Sequence, residues 1–433
     1  MHKTALENAT SSIADIGDYP PLMGSASNSR IAIYCQDGLG LGHLRRNIEI
    51  GKAFLKQTPE GEGQILLIAD SPVAPFFQLP EGMDHIKLPS IRKVSAGQWQ
   101  CARLRMSTLE VRKLRVSLLH DALVNYRPGL VLVDHMPGGA QGELIPALEG
   151  LKKAHPDCVI VLGLRDILDA QEVIMRVWDV EGAYHALRRY YDRVLIYGVQ
   201  EIFDTARIYQ LPDPPRGIHY CGYVVNQDLV KPGRTALQGS GVGAALGGCP
   251  RRKSVFVSAG GGADGHALMQ TYLRATRLLG ARADFATLMA LGVNSPADKS
   301  RELILDAAGL PVQMVPYVTD SLNQIAGADL VVCMAGYNTL SEVLSLGKKA
   351  LIVPRPGPSA EQTMRARLFA ERGLIDMIEP ERFSPFVLAK RLLQDLERDD
   401  LPAQDETIDM HGAERAAARL LELIHERAIA VRT

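Results

Sequence analysis

The sequence predicts an α/β protein built as two doubly wound halves that face each other across a cleft. Three observations lead there. Short apolar runs alternate with longer amphipathic stretches, and the runs are rich in Leu or β-branched residues, as suits strands buried on both faces of a parallel sheet. The alternation breaks at a Gly-rich stretch and then restarts. The chain has 433 residues, enough for two or three domains.

In order along the chain, residues 1–29 are polar and rich in Ser, Asn and Pro, and read as a mobile extension. The first half spans 30–225. Its strands are IAIYC (31–35), QILLIAD (64–70), GLVLVDH (129–135), CVIVLGL (158–164) and RVLIYG (193–198), with crossover helices expected between them. Residues 226–253 lack periodicity and carry a Pro-Gly turn signal, so they read as a linker. The second half spans 254–410, with strands at SVFVSA (254–259), DFATLMALG (284–292), VQMVPY (312–317), DLVVCMAG (329–336) and KALIVP (349–354). In 411–433, Ala417, Leu420, Leu421, Ile424 and Ala428 recur at helical spacing and predict a final amphipathic helix. Ligands of doubly wound sheets bind beyond the carboxyl ends of the strands, so the cleft between the halves is the expected site.

Composition removes several functions. Lys plus Arg total 48 against 49 Asp plus Glu, whereas a general nucleic-acid binder is strongly basic. No apolar run approaches the roughly 18 residues of a membrane-crossing helix, and the first 30 residues hold no secretory signal core. The six cysteines form no CxxC pair and read as reduced thiols. A cytoplasmic protein without a cofactor is expected, with peripheral contact at the inner face of a membrane as an option. That option rests on 91–119, which holds seven Lys or Arg and one acid, Glu110. The run is either a solvated face or a surface that docks on an anionic acceptor or phospholipid.

Four places carry candidate chemistry. Asp37–Arg46 (DGLGLGHLRR) follows the first strand. Gly40 and Gly42 permit a tight turn, and a helix N-terminus there would offer N–H groups to an anion. The glycine spacing is not GxGxxG, which argues against a nicotinamide site. His43 at this mouth could serve as a general base, or simply cap the helix. Arg45 and Arg46 sit at the end of a helix where cations are unfavourable, so a ligand or a partner carboxylate is expected to hold them. The second place, Ser258–Gly265 (SAGGGADG), is another glycine turn before a helix, either structural or phosphate-binding. In the third, VVCMAGYNTLSE, Thr339 and Glu342 form a T-x-x-E pattern that fits a capping box, while Glu342 would equally suit ribose hydroxyls. Beyond it, Glu361 and Gln362 open a helix after a Pro-rich loop and suit sugar hydroxyls. The fourth place is strand ends. Asp134 could be the base or orient His43, and Arg165 and Asp166 end the next strand; the alternative for these strand-end carboxylates is to accept from loop N–H groups.

These motifs, above all AGYNTLSEVLSLGKKALIVPRPGPSAEQ, resemble the two-Rossmann-domain (GT-B) glycosyltransferases, in the family 28-like group that contains the muropeptide N-acetylglucosaminyltransferase. The resemblance covers about 31–430. It implies an inverting, metal-independent transfer from a nucleotide diphosphate sugar, most simply a UDP-sugar, to an acceptor hydroxyl. It assigns Gly260, Gly261 and Gly262 to the diphosphate, Tyr317 and Val318 to the base, Glu342 to the ribose, and Glu361 and Gln362 to the donor sugar, with Gly336, Asn338 and Thr339 also on the donor-binding side. Gly40, Gly42, Arg46, Arg165 and Asp166 fall on the acceptor or phosphate side, with His43 near the acceptor. It also implies a last helix that crosses back to the first half. A hydrolase or epimerase of the same fold, and a non-catalytic nucleotide-sugar-binding subunit, are the alternatives.

Overall fold

The computed structural model describes residues 29–36, 41–95, 98–226, 252–403 and 405–430. The N-terminal extension, Gly40, Cys249 and the Gly-rich joint at 227–251 lie outside the described residues.

The first half runs β1 (Arg30–Cys35), α1 (Gly42–Gln57), β2 (Gln64–Ala69), β3 (Met83–Lys87), β4 (Ile91–Ser95), β5 (Gln98–Cys101), α2 (Thr108–Tyr126), β6 (Leu130–Asp134), α3 (Ile145–Ala154), β7 (Val159–Arg165), α4 (Gln171–Val180), α5 (Ala183–Tyr190), β8 (Arg193–Tyr197), α6 (Thr205–Ile208) and β9 (Ile218–Tyr220). Seven of these strands form a parallel sheet in the order β3-β2-β1-β6-β7-β8-β9, and β4–β5 is a separate antiparallel hairpin. The central strands are apolar throughout because helices cover both faces. Ile31 to Cys35 are wholly buried, as are Leu130 to Val133.

The second half runs β10 (Lys253–Ser258), α7 (His266–Leu279), β11 (Phe285–Ala290), α8 (Ala297–Asp306), β12 (Val312–Val315), α9 (Ser321–Gly327), β13 (Leu330–Cys333), α10 (Tyr337–Ser345), β14 (Ala350–Ile352), α11 (Glu361–Ala370), β15 (Asp376–Met377), α12 (Pro385–Glu397) and α13 (Gly412–Ala430). Its six strands are parallel in the order β12-β11-β10-β13-β14-β15. In both sheets the chain turns back beside its first strand, leaving the crevice where doubly wound folds bind ligands.

Helix α13 packs on α1, and Ala416, Ala417, Leu420, Leu423 and Ile424 share one buried cluster with Ile50, Ala53 and Phe54 of that helix. Arg193 reaches Glu422 at 3.0 Å. The chain crosses between the halves at two adjoining segments, where an isolated bridge pairs Val224 with His411 and Tyr223 N–H donates to Asp409 O at 2.7 Å.

Several expectations shift in detail. The run 329–336 stops being a strand at Cys333 because Ala335 takes φ of 59°, and 129–135 stops at Asp134 because His135 takes φ of 72°. Strands β3, β4, β5, β9 and β15 were not evident as apolar runs. The basic stretch 91–119 is not wholly a surface: Arg115 is fully buried, with its guanidinium on Glu143 at 2.5 and 2.6 Å. Cys35, Cys158, Cys221 and Cys333 are buried and outside any disulfide, and Cys101 is half-buried. Among the described residues no helix is long and apolar enough to cross a membrane.

Candidate active site

Parallel strands deliver their carboxyl ends to one edge, and the candidate residues cluster where the two edges meet. Asp134 closes β6 and is 1% exposed. His43 stands in the first turn of α1, with Nδ1 2.5 Å from Asp134 Oδ2. Arg46, one turn along the same helix, donates from Nη2 to both Asp134 oxygens at 2.7 and 2.9 Å. Its guanidinium lies 5.3 Å from the Tyr197 ring centroid and 5.4 Å from that of Tyr337. Burial alone would raise the Asp134 pKa, but Arg46 and then His43 outweigh it and hold the carboxyl well below the usual range. His43 Nδ1 thus faces both the Asp134 carboxylate, which only accepts, and Arg46 Nη2 at 3.0 Å; in the tautomer that donates to Asp134, Nδ1 carries the hydrogen and Nε2 is the basic nitrogen. Arg46 had been placed on the acceptor or phosphate side. It is 2% exposed, and its Nη2 is committed to Asp134. His135, with a left-handed backbone, puts its ring 5.3 Å from His43; burial, Arg165 and His43 lower its pKa, which keeps it neutral.

A second charged cluster joins the halves. Arg165 at the end of β7 donates to Glu361 Oε1 at 2.5 Å, and Arg365 of α11 donates to the same oxygen at 2.9 Å. Arg365 also reaches Asp166 at 3.3 Å and the carbonyls of Ile167 and Ala335 at 3.2 and 3.1 Å. Burial opposes ionisation of Glu361, yet Arg165 and Arg365 prevail and bring its pKa to about 2. Asp166 is buried and accepts from Tyr223 OH at 2.9 Å. Glu361 is thus 8% exposed and held between arginines of both halves, while Gln362 accepts from Arg355 N–H at 3.1 Å. Arg365, Tyr197, Tyr337 and Ser321 escaped the sequence reading. Only the apolar flanks of Arg365 in α11 hinted that this arginine is buried.

On the second half, the glycine loop follows β10. Gly262 has φ of 85°, and a Cβ there would meet Leu291 O at 2.1 Å, so only glycine fits. Gly261 O accepts from Asn294 N–H at 2.8 Å. Helix α7 begins just beyond, and no side chain caps its N-terminus. Gly260 has open space around its Cα. Tyr317 and Val318 follow β12; Tyr317 is exposed and Val318 half-buried.

The capping-box reading of Thr339 and Glu342 is overturned. Gly336 occupies the N-cap of α10, so Thr339 already lies inside the helix and cannot cap it. Glu342 points across the cleft instead. Its Oε1 accepts from Arg45 and its Oε2 from Ser321 Oγ at 2.9 Å. Arg45 Nη2 also donates to Ser321 Oγ at 3.1 Å. Asn338 Nδ2 donates to Gly42 O at 3.1 Å, a further tie between the halves. The partner carboxylates expected for the two arginines are therefore Glu342 for Arg45 and Asp134 for Arg46. A cavity of about 340 Å³ opens beside Arg45, Ser321, Asn338 and Glu342.

Residues 254–420 match the model of the glycosyltransferase family 28 C-terminal domain. The chain is similar to two proteins named UDP-N-acetylglucosamine–N-acetylmuramyl-(pentapeptide) pyrophosphoryl-undecaprenol N-acetylglucosamine transferase. That of Verminephrobacter eiseniae (strain EF01-2) is 34% identical over 113 residues, 26% of this chain and 31% of that protein. That of Rhizobium meliloti (strain 1021) is 29% identical over 208 residues, 47% of this chain and 54% of that protein. The matches thus span a third to a half of those relatives. Among solved structures, MurG of Acinetobacter baumannii superposes with a TM-score of 0.54 at 13% identity, covering 92% of this chain and 99% of that one. UDP-GlcNAc 2-epimerase from Neisseria meningitidis bound to UDP-GlcNAc gives 0.60 at 13% identity, covering 92% and 100%. At such identities the likeness establishes the fold, which is the GT-B architecture of two facing α/β domains.

Proposed function

We propose that a chain with this fold, whose second half is similar to the family 28 C-terminal domain, is an inverting, metal-independent glycosyltransferase. It moves a sugar from a UDP-sugar to an acceptor hydroxyl. The observation that carries this reading is the His43–Asp134 pair on the first half, at the cleft it shares with the Gly260–Gly262 loop and Glu342. The names of the similar proteins favour UDP-N-acetylglucosamine as donor and a lipid-linked acceptor.

In the proposed reaction, Nε2 of His43 takes the proton of the acceptor hydroxyl as its oxygen attacks the anomeric carbon. Asp134 stabilises the imidazolium that forms, and Arg46 keeps Asp134 ionised and aimed. The bond from the anomeric carbon to the leaving diphosphate breaks on the opposite face, which inverts the centre. Main-chain N–H groups of the glycine loop and of the α7 N-terminus receive the leaving charge. Glu342 accepts from ribose hydroxyls, Tyr317 and Val318 line the base, and Glu361 and Gln362 serve the donor sugar. The acceptor reaches the site from a peripheral position at the inner membrane face, with 91–119 against anionic lipid.

Thermal unfolding with UDP, dTDP and GDP tests the donor, since a ligand of the folded state raises the melting temperature by mass action. UDP should stabilise most, and transfer of radiolabelled sugar from UDP-N-acetylglucosamine to a membrane lipid extract should follow. Release of free sugar at the same rate without acceptor would mark a hydrolase instead.

A further inference from the structure

Glu342 is 6% exposed in its side chain, and both carboxylate oxygens are engaged: Oε1 by Arg45, Oε2 by Ser321. Arg45 is 36% exposed and comes from the other half. The two partners are unequal. The carboxylate is fixed by its helix and by Ser321, while the guanidinium ends a long side chain beside a cavity of about 340 Å³. If ribose hydroxyls take Glu342, as the proposed function has it, they must displace Arg45. A cation in the first turn of α1 has no favourable dipole there, and no acidic residue of that turn compensates it. The nearest new negative charge would be the diphosphate that enters with the ribose.

We infer that Arg45 is an exchangeable donor ligand. In the empty protein it neutralises the buried Glu342; in the loaded protein it leaves Glu342 to the ribose and pairs with the diphosphate. The buried carboxylate is then never without a donor, and a cation from the first half engages only when a phosphorylated nucleotide is present. A nucleoside displaces Arg45 but offers it nothing in return. Discrimination between nucleotide and nucleoside is therefore the signature of this residue. The inference rests on Glu342 as the ribose ligand.

The test is binding of uridine and of UDP, by titration calorimetry or NMR, to wild type, Arg45→Gln, Arg45→Ala and Glu342→Gln. The decisive quantity is the ratio of the uridine Kd to the UDP Kd, because competition for Glu342 cancels in it. Losing a charge-assisted phosphate contact should lower that ratio about tenfold or more in both Arg45 variants. Uridine itself should bind them at least as tightly as wild type, since its competitor is gone. In Glu342→Gln both ligands should weaken with the ratio kept. A ratio within twofold of wild type in the Arg45 variants, or loss of uridine together with UDP, overturns the exchange while the ribose site stands. If wild type binds neither ligand, or Glu342→Gln changes neither affinity, the ribose assignment itself fails.

Discussion

Arg46 lies near two aromatic rings, donates to both Asp134 oxygens, and sees almost no solvent. Removing it strands a buried carboxylate, and breaking a buried pair in this way costs roughly 3–5 kcal/mol. Arg46→Leu should therefore lower the urea unfolding free energy by about that much, and Arg46→Leu with Asp134→Leu should recover part of it; a loss of under about 1 kcal/mol for the single variant would remove the pairing as a stabilising element. Catalysis separates from stability at His43. His43→Ala should cut turnover about 10²–10⁴-fold while UDP affinity stays within a few-fold, because the proposed function gives His43 no contact with the donor. Asp134→Asn should lower turnover too, by spoiling the orientation of the imidazole. Survival of turnover in His43→Ala would pass the role of base to another group. At this scale the sequence was informative only where topology brings residues together. Asp134 and His43 were paired because both follow strands at one sheet edge. Of the two readings open for Glu342, spacing could not dismiss the cap, because its partner Arg45 lies 297 residues away and local spacing says nothing about such a contact.

Among the elements, the loop after β10 offers a contrast. Gly260 and Gly262 both have positive φ, 62° and 85°, but a Cβ on the first meets open space and on the second strikes Leu291 O. Gly260→Ala should cost only the left-handed backbone penalty of about 1–2 kcal/mol. Gly262→Ala must also push the 291–292 turn away, so it should destabilise more and abolish UDP stabilisation in thermal unfolding. Equal behaviour of the two would mean the loop is not clamped. Helix α2 and the segment before it expose Leu104, Met106, Leu109, Leu114 and Leu118 beside Arg103, Arg105 and Lys113. Co-sedimentation with vesicles should prefer anionic over neutral lipid at low salt, and Leu114→Asp with Leu118→Asp should abolish it; no anionic preference in wild type would remove the bilayer from the proposal. Elements buried on both faces announced themselves as apolar runs. Those missed were short or mixed: MDHIK of β3 at a sheet edge, IHY of β9, and the β4–β5 hairpin, whose IRKVS and QWQC lack an apolar core.

For the whole molecule, the two halves are clasped by charge as well as by packing. Arg165 and Arg365 bring the Glu361 pKa down to about 2 in the folded protein, against about 4.3 for an unfolded glutamate, and Arg46 and His43 hold the Asp134 carboxyl well below its usual range. A depressed folded pKa stabilises above the unfolded value and is lost as pH falls through the folded one. Urea midpoints should therefore hold from pH 7 to 5 and fall between about 4.3 and 2, and Glu361→Gln should flatten part of that decline. A midpoint independent of pH below 4 would mean that these carboxylates are not clamped. The architecture of two halves and a cleft was legible because the alternation of strand and helix appears twice, with a break between. The closeness of the halves was not, since Arg365 looks like any helical arginine until Glu361 and Asp166 are seen on either side of it. One consequence concerns time rather than space. Helix α13 covers α1 yet follows the entire second half in the chain. On the ribosome, the apolar flank of α1 emerges early and stays uncovered until residues 412–430 have been made. The first half is therefore finished by the segment translated after the second, and it does not reach its complete native surface until that segment has left the tunnel.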